Sequence, residues 1–137
     1  MGEGARGGLS GKRFPWGNTI SRSQANYQGN TGSYSYDLGP NGRNPAYEGT
    51  SPVGSYAPNG YGLNDMAGNV WQWCWDWKGT PYAGGSDPHG PVGRGSRRVL
   101  RGGYWDYLAN FARCAYRNSH NPGGAGNNFG FRCVRGL

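Results

Sequence analysis

Tryptophan occupies positions 71, 73, 75 and 77, separated by Gln72, Cys74 and Asp76. Alternation places every second side chain on one side of an extended chain, so the spacing predicts a strand with an aromatic face; a helix would scatter the four indoles. Trp71 and Trp73 are expected in the core, because Trp is mostly buried, while for Trp75 and Trp77, toward the exit, the pattern alone does not imply burial. The approach to this strand holds Gly60, Gly62, Gly68, Asn64, Asp65 and Asn69, which accept tight or left-handed backbone and offer short-range acceptors, so a turn-rich entry is predicted. A second short strand is expected over 97–103, ending in Gly102-Gly103, and a third over 129–135 with Phe129, Phe131 and Cys133 on one face. Phe14-Pro15-Trp16-Gly17 reads as a turn with two aromatic anchors, because Pro15 fixes its own φ and keeps Phe14 extended. Residues 21–56 form a long loop region almost without aliphatic side chains, 78–95 and 122–128 read as loops, and 104–121 alternates aromatic and polar residues. No window sustains apolar spacing at i, i+3, i+4 and i+7 without Gly or Pro, so a small mixed fold with an irregular sheet is predicted rather than long helices.

Composition sharpens this picture. At 137 residues one core is expected. The 28 Gly and 9 Pro act as punctuation between short elements, because twenty aromatic residues and no repeating unit argue against disorder. The net charge of +7 raises nucleic acid as a partner, but twelve Arg are spread from Arg6 to Arg135, dense only between Arg94 and Arg101, and Arg also pairs with carboxylates and stacks on rings; the spread argues against nucleic acid. Cys74, Cys114 and Cys133 are an odd set, so one bridge plus a thiol and three thiols both stay open. Without a signal peptide or a stretch of spanning length, the chain is expected to be soluble, off the membrane and cytoplasmic by default.

Six ordered motifs carry a resemblance. Trp16-Gly17, Asn59-Gly60-Tyr61-Gly62-Leu63, Asp65-Met66-Ala67-Gly68-Asn69-Val70-Trp71-Gln72-Trp73, Arg101-Gly102-Gly103, Ala115-Tyr116-Arg117 and Gly130-Phe131-Arg132 are similar to the sulfatase-modifying-factor family, whose best-known members are the formylglycine-generating enzymes. The resemblance implies a C-type-lectin-like fold: α+β, mostly irregular, with a small twisted antiparallel sheet, long loops and little helix. It also implies one domain over residues 1–137 that lacks the N-terminal part of the usual family domain. Surface normally covered by that part would be exposed, and a homo-oligomer is one way to cover it.

Formylglycine-generating enzymes resemble one another in two copper-binding cysteines shortly after the Gly-Gly, a role that suits soft thiolates. The matching segment here, from Tyr104 to Ala112, contains no cysteine. Copper is therefore not expected, the three cysteines read as small buried residues or disulfide halves, and binding is favoured over catalysis. His89 and His120 are too few for the iron site of another branch, and no Ser, His and acid spacing suggests a hydrolase. The resemblance further implies a structural calcium held by Asp65, the carbonyls of Gly68 and Val70, and Gln72 in place of the usual Glu, a set of hard oxygens that calcium accepts. A second family calcium site, at Asn26, Tyr27 and Tyr47, meets Pro45 where a carboxylate is needed and is expected to be lost. The C-terminal segment also resembles the variable proteins of diversity-generating retroelements in bacteria and phages, which randomise solvent-facing residues to bind varied ligands. By position the candidates are Tyr104, Trp105, Asp106, Tyr107, Asn110, Phe111, Ser119, His120, Asn121, Asn127 and Asn128. Tyr gives large contact area and Asn and Ser adaptable hydrogen bonds, so a protein or glycan ligand is expected. The alternative, an oxidoreductase or other family enzyme completed by residues elsewhere, predicts a deep polar pocket near Trp105, Arg113 and Arg117.

Overall fold

The computed structural model describes residues 2–79 and 95–133. Most of the expected 78–95 loop, His89 included, and the end of the expected 129–135 strand lie outside the described residues. In chain order the elements are a short helix α1 (Gly2–Arg6), β1 (Trp71–Trp77), β2 (Arg98–Arg101), a 3-10 turn (Ala109–Phe111), β3 (Asn118–His120) and β4 (Phe129–Gly130). Little of the chain is regular, as its Gly and Pro spacing predicts.

The strands form one sheet in the order β3-β2-β1-β4. β1 runs antiparallel to β2, and β2 to β3, but β4 lies parallel to β1 through Trp71 and Gln72. The sheet is therefore mixed rather than antiparallel. A parallel neighbour needs a long return connection, and the stretch from Gly102 to Asn128, which also contributes β3, supplies it. β4 ends at Gly130, which packs so close to β1 that a side chain there would meet Val70 Cγ2 at 2.8 Å. Consequently Phe131 is 77% exposed and Cys133 is exposed, and the expected shared face of Phe129, Phe131 and Cys133 does not form.

The tryptophan stripe is unevenly buried. Gln72 faces Arg101 and Trp73 faces Leu100, but the next pair is Trp77 with Arg98, so four steps along β1 are matched by two along β2. Such a bulge bends the strand and re-aims its side chains. Trp71 is buried, Trp73 and Trp77 are half-buried, and Trp75 is 87% exposed.

The main core is built by loops. Phe14, Ile20, Ala25, Tyr27, Ala67, Ala109 and Ala112 form it, with Trp16 and Tyr36 against its edge. Full burial of Phe14, Ile20 or Tyr27 stabilises by roughly 1.5–3 kcal/mol each. The loops close through internal hydrogen bonds: Ile20 N–H donates to Tyr36 O at 2.9 Å and Leu38 N–H to Ile20 O at 2.8 Å. Asp37, itself buried, accepts from Tyr27 Oη at 2.6 Å, Asn30 N at 2.7 Å and Gly39 N at 2.9 Å.

The turn entering β1 joins this core to the sheet. Gly68 has φ 76°, and a Cβ there would lie 2.3 Å from Asn26 O. Next to it Asn69, at φ 66°, exchanges side-chain bonds with the Ser51 backbone at 2.9 and 3.1 Å, donates its own N–H to Asn26 O, and accepts from Trp105 N. A smaller cluster of Ala5, Met66 and Cys114 ties α1 to the turn before β1 and to the segment after the 3-10 turn, with Cys114 Sγ 3.7 Å from Ala5 O.

Candidate functional site

After Arg101 the backbone reverses through Gly102 and Gly103, at φ 94° and 77°. Tyr107 N–H then closes a turn onto Tyr104 O, and Phe111 N–H onto Leu108 O. Two bonds dock this segment on the core: Trp105 N–H to Asn69 O at 3.0 Å and Gln28 N–H to Tyr107 O at 3.1 Å. Its rings pack as a chain, Tyr104 to Tyr107 at 4.5 Å, Tyr107 to Phe111 at 4.3 Å and Phe111 to Tyr116 at 5.0 Å. Buried Trp71 supports it, with Tyr104, Tyr107 and Tyr116 rings 6.0–6.3 Å away. The six residues from Tyr104 to Phe111 that the sequence singled out are thus one half-exposed cluster.

A residue the sequence reading missed completes it. Arg43 forms a fork with Asp106, Nε to Oδ1 at 2.5 Å and a second guanidinium nitrogen to Oδ2 at 2.6 Å, and its guanidinium lies 4.9 Å from the Trp105 ring centroid. Nothing local signals this pairing, because Arg43 belongs to the loop region and comes 63 positions before its partner. Two polar atoms of the cluster, Trp105 Nε1 and Asn110 Oδ1, are buried without a hydrogen-bond partner. Burial pushes the Tyr104 phenol above its ordinary pKa, with Tyr107 and Asp106 adding to the effect.

The other candidates divide. Asn128 joins the cluster: its carbonyl accepts from Trp71 N–H at 2.8 Å and its side chain bonds Tyr104. Ser119 and His120 lie on β3, where the exposed His120 ring sits 5.1 Å from Phe129 and 6.4 Å from Trp73. Asn121 closes a turn by accepting Gly123 N–H at 3.0 Å, and Asn127 is exposed.

Of the expected metal residues, Asp65, Val70 and Gln72 border a separate groove of about 350 Å³, rimmed by Val53, Leu63 and Phe131, and Gly68 does not line it. Asp65 has φ 53°; its Oδ2 accepts from Gly54 N at 2.8 Å, and its Oδ1 is buried without a partner. Gln72 donates Nε2–H to Asp65 O at 2.6 Å and accepts Arg132 Nε at 2.7 Å, while Arg132 also donates to Asn64 O at 2.8 Å. The orphaned carboxylate oxygen fits a hard cation, although the Arg132 guanidinium already engages the amide oxygen of Gln72. Asn26, of the second implied site, donates its amide to Gly49 O at 2.8 Å.

With this geometry in place, comparison with known proteins is direct. Residues 2–137 match the sulfatase-modifying factor enzyme 1-like domain. The chain belongs to that family. The formylglycine-generating enzyme of Streptomyces coelicolor is 43% identical over 140 residues, covering 95% of this chain and 42% of the enzyme. The serine/threonine-protein kinase pkn1 of Chlamydia caviae is 42% identical over 135 residues, covering 96% of this chain and 19% of the kinase. Among solved structures, Treponema denticola variable protein 1 superposes with a TM-score of 0.69 at 35% identity, covering 93% of this chain and 41% of the variable protein. The chain thus spans less than half the length of these relatives. The fold is the α+β, mostly irregular one that the six motifs implied, with the mixed sheet as its refinement.

Within this sulfatase-modifying-factor domain Cys114 and Cys133 are free thiols, and Cys74 Sγ lies 4.0 Å from Gln72 O. Cys114 is buried and Cys74 half-buried, and desolvation raises both thiols above their ordinary pKa, whereas Cys133 is exposed rather than buried. Arg113 donates to Asn110 O at 2.8 Å and lines a small cleft with Met66, Arg101 and Cys114. Arg117 accepts a bond from Lys78 Nζ on its carbonyl. Among the described residues no helix is long and apolar enough to cross a membrane.

Proposed function

We propose that this chain is a non-catalytic ligand-binding domain on a formylglycine-generating-enzyme-like scaffold, and that it takes a protein or glycan at the Tyr104–Phe111 cluster. The observation that carries the reading is the ring chain itself. Tyr104, Tyr107 and Phe111 stand half-exposed in the segment where the family's oxidases place their cysteines, and they are held from beneath by Trp71. Rings already fixed in place offer contact area at small entropic cost, and Asn110, Ser119, His120, Asn121, Asn127 and Asn128 add adaptable polar groups around them. The likeness to Treponema denticola variable protein 1 supports a retroelement-diversified receptor. A reverse-transcriptase gene beside a near-copy of the codons for residues 101–135 is the expected genomic context.

The test of the non-catalytic half is an assay for copper-dependent oxidation of a cysteine-containing peptide. No turnover is expected, and appreciable turnover overturns it. The second reading, an oxidoreductase completed by residues elsewhere, which the identity to the Streptomyces enzyme favours, predicts turnover in the same assay once those residues are supplied.

The domain further binds a structural calcium through Asp65, the carbonyls of Gly68 and Val70, and Gln72. The unpartnered Asp65 Oδ1 supports this reading. The ion would staple the turn that sets the register of β1 and take no part in chemistry. Adding a chelator is expected to lower the melting temperature. An unchanged melt removes the site and leaves Arg132 as the cation of that groove.

A further inference from the structure

The last turn of α1 runs into a loop of left-handed backbone, with Gly7, Gly8 and Gly11 at φ 57°, 87° and 63°. A second loop holds it in place. A Cβ on Gly7 would lie 2.6 Å from Gly60 N, and one on Gly60 would lie 2.4 Å from Gly7 O, so only two glycines pack this closely. Asn59 clamps the pair: its side-chain nitrogen donates to Gly4 O at 2.7 Å, and its side-chain oxygen accepts from Tyr61 N at 3.0 Å and Leu63 N at 3.1 Å. The Tyr61 ring is thereby set beside Gly8, where a Cβ would meet its Cε1 and Oη at 3.4 Å.

Between this loop and that ring lies an open pocket of about 370 Å³, a size that suits a small organic ligand. It shares no lining residue with the groove at Asp65 or with the Tyr104 cluster. Arg6 lines it, half-buried, with Nε donating to Lys12 O at 3.3 Å, which leaves both terminal guanidinium nitrogens available. Among the described residues no carboxylate meets that guanidinium. The N–H groups of Gly8, Ser10 and Gly11 and the hydroxyls of Ser10 and Tyr61 likewise bond to no acceptor among the described residues. Leu9 at 38% exposure and Tyr61 at 53% add apolar wall. One guanidinium balances one negative charge, and its planar fork matches the two oxygens of a carboxylate. Because the frame is already fixed, little ordering is left for a ligand to induce.

We propose that this pocket binds a small organic monocarboxylate, its carboxylate on Arg6 and the free donors of the Gly8–Gly11 loop, its apolar body against Tyr61 and Leu9. The site does not rest on the function proposed for the Tyr104 cluster.

The test is titration of the isotope-labelled chain with benzoate, followed by amide NMR. Saturable shifts are expected at Gly8, Ser10 and Gly11, with a dissociation constant on the order of 1 mM for so small a probe. Benzyl alcohol, which keeps the ring and lacks the charge, should give no saturable shift. Arg6→Gln is expected to weaken benzoate binding about tenfold. Tyr61→Ala should weaken it about threefold at an unchanged melting temperature, because the ring is largely exposed, and it decides the matter should Arg6→Gln fail to fold. Four outcomes overturn the proposal: no saturable shift at the loop, equal binding of benzyl alcohol, undiminished binding by either folded variant, or inorganic sulfate binding as tightly as benzoate.

Discussion

The region around Asp37 and the segment from Tyr104 to Phe111 are both built from aromatic residues in a chain short of aliphatic ones, yet they end in opposite states. Around Asp37 the rings go inside and the polar groups close on one another: Tyr27 is fully buried, and its hydroxyl and two backbone N–H groups meet a single carboxylate. From Tyr104 onward the rings stack on each other but stay half-exposed, and Trp105 Nε1 and Asn110 Oδ1 are left without partners. A closed network stabilises and offers nothing to a ligand, whereas an ordered open one is the better binding surface. Trp71, itself buried, carries the open cluster on its ring.

That makes Trp71 the most severe test of the comparison. Trp71→Ala is expected to cost about 3–5 kcal/mol in chemical denaturation and to disturb both regions together. A loss confined to the Tyr104 cluster would show that the two are independent. Asp37→Ala should cost about 2–3 kcal/mol, since three buried donors lose their acceptor, while the near-ultraviolet signal of the Tyr104 cluster persists. Collapse of that signal would mean that the open region depends on the closed one.

Alkaline titration separates them further. Burial pushes Tyr56 up to about 12 and raises Tyr27 and Tyr104, so the folded chain holds protons that the unfolded chain releases near pH 10. Stability present at neutral pH is therefore expected to decline as pH rises from about 10 toward 12. Tyr56→Phe should make that decline shallower, and an unaltered slope would exclude Tyr56 from it. The smallest effect belongs to Arg43→Ala. The ion pair with Asp106 is largely exposed on the Arg side, so almost no loss of stability is expected, with a change in the Trp105 environment as its main signature. A large loss of stability would place Arg43 in the scaffold rather than over the binding surface.

How far the sequence was legible follows the range of the forces involved. The turn from Asp65 to Asn69 was readable because left-handed backbone is a local steric demand that Gly, Asn and Asp meet, and Asp65, Gly68 and Asn69 do adopt positive φ. The cluster from Tyr104 to Phe111 stood out as a candidate because its residue types suit an adaptable surface. Its cation did not, since Arg43 reaches Asp106 only when a distant loop docks. Alternation predicted one face for the four tryptophans and for Phe129 with Phe131. What it could not predict was burial and strand length, which depend on neighbours: β1 spends four residues against two of β2, and β4 ends at Gly130.

By itself, then, the sequence determined where the chain turns, that aromatic rings supply most of its apolar area, and through its ordered motifs the family to which it belongs. Those properties rest on local sterics and on residue chemistry that every position carries with it. Only the tertiary structure decided that Trp71 is buried and Trp75 displayed, that Gln72 meets Arg132, and that Arg43 closes over Trp105. Each of these is a contact between segments far apart in the chain, and such contacts exist only once loops and strands have packed against one another.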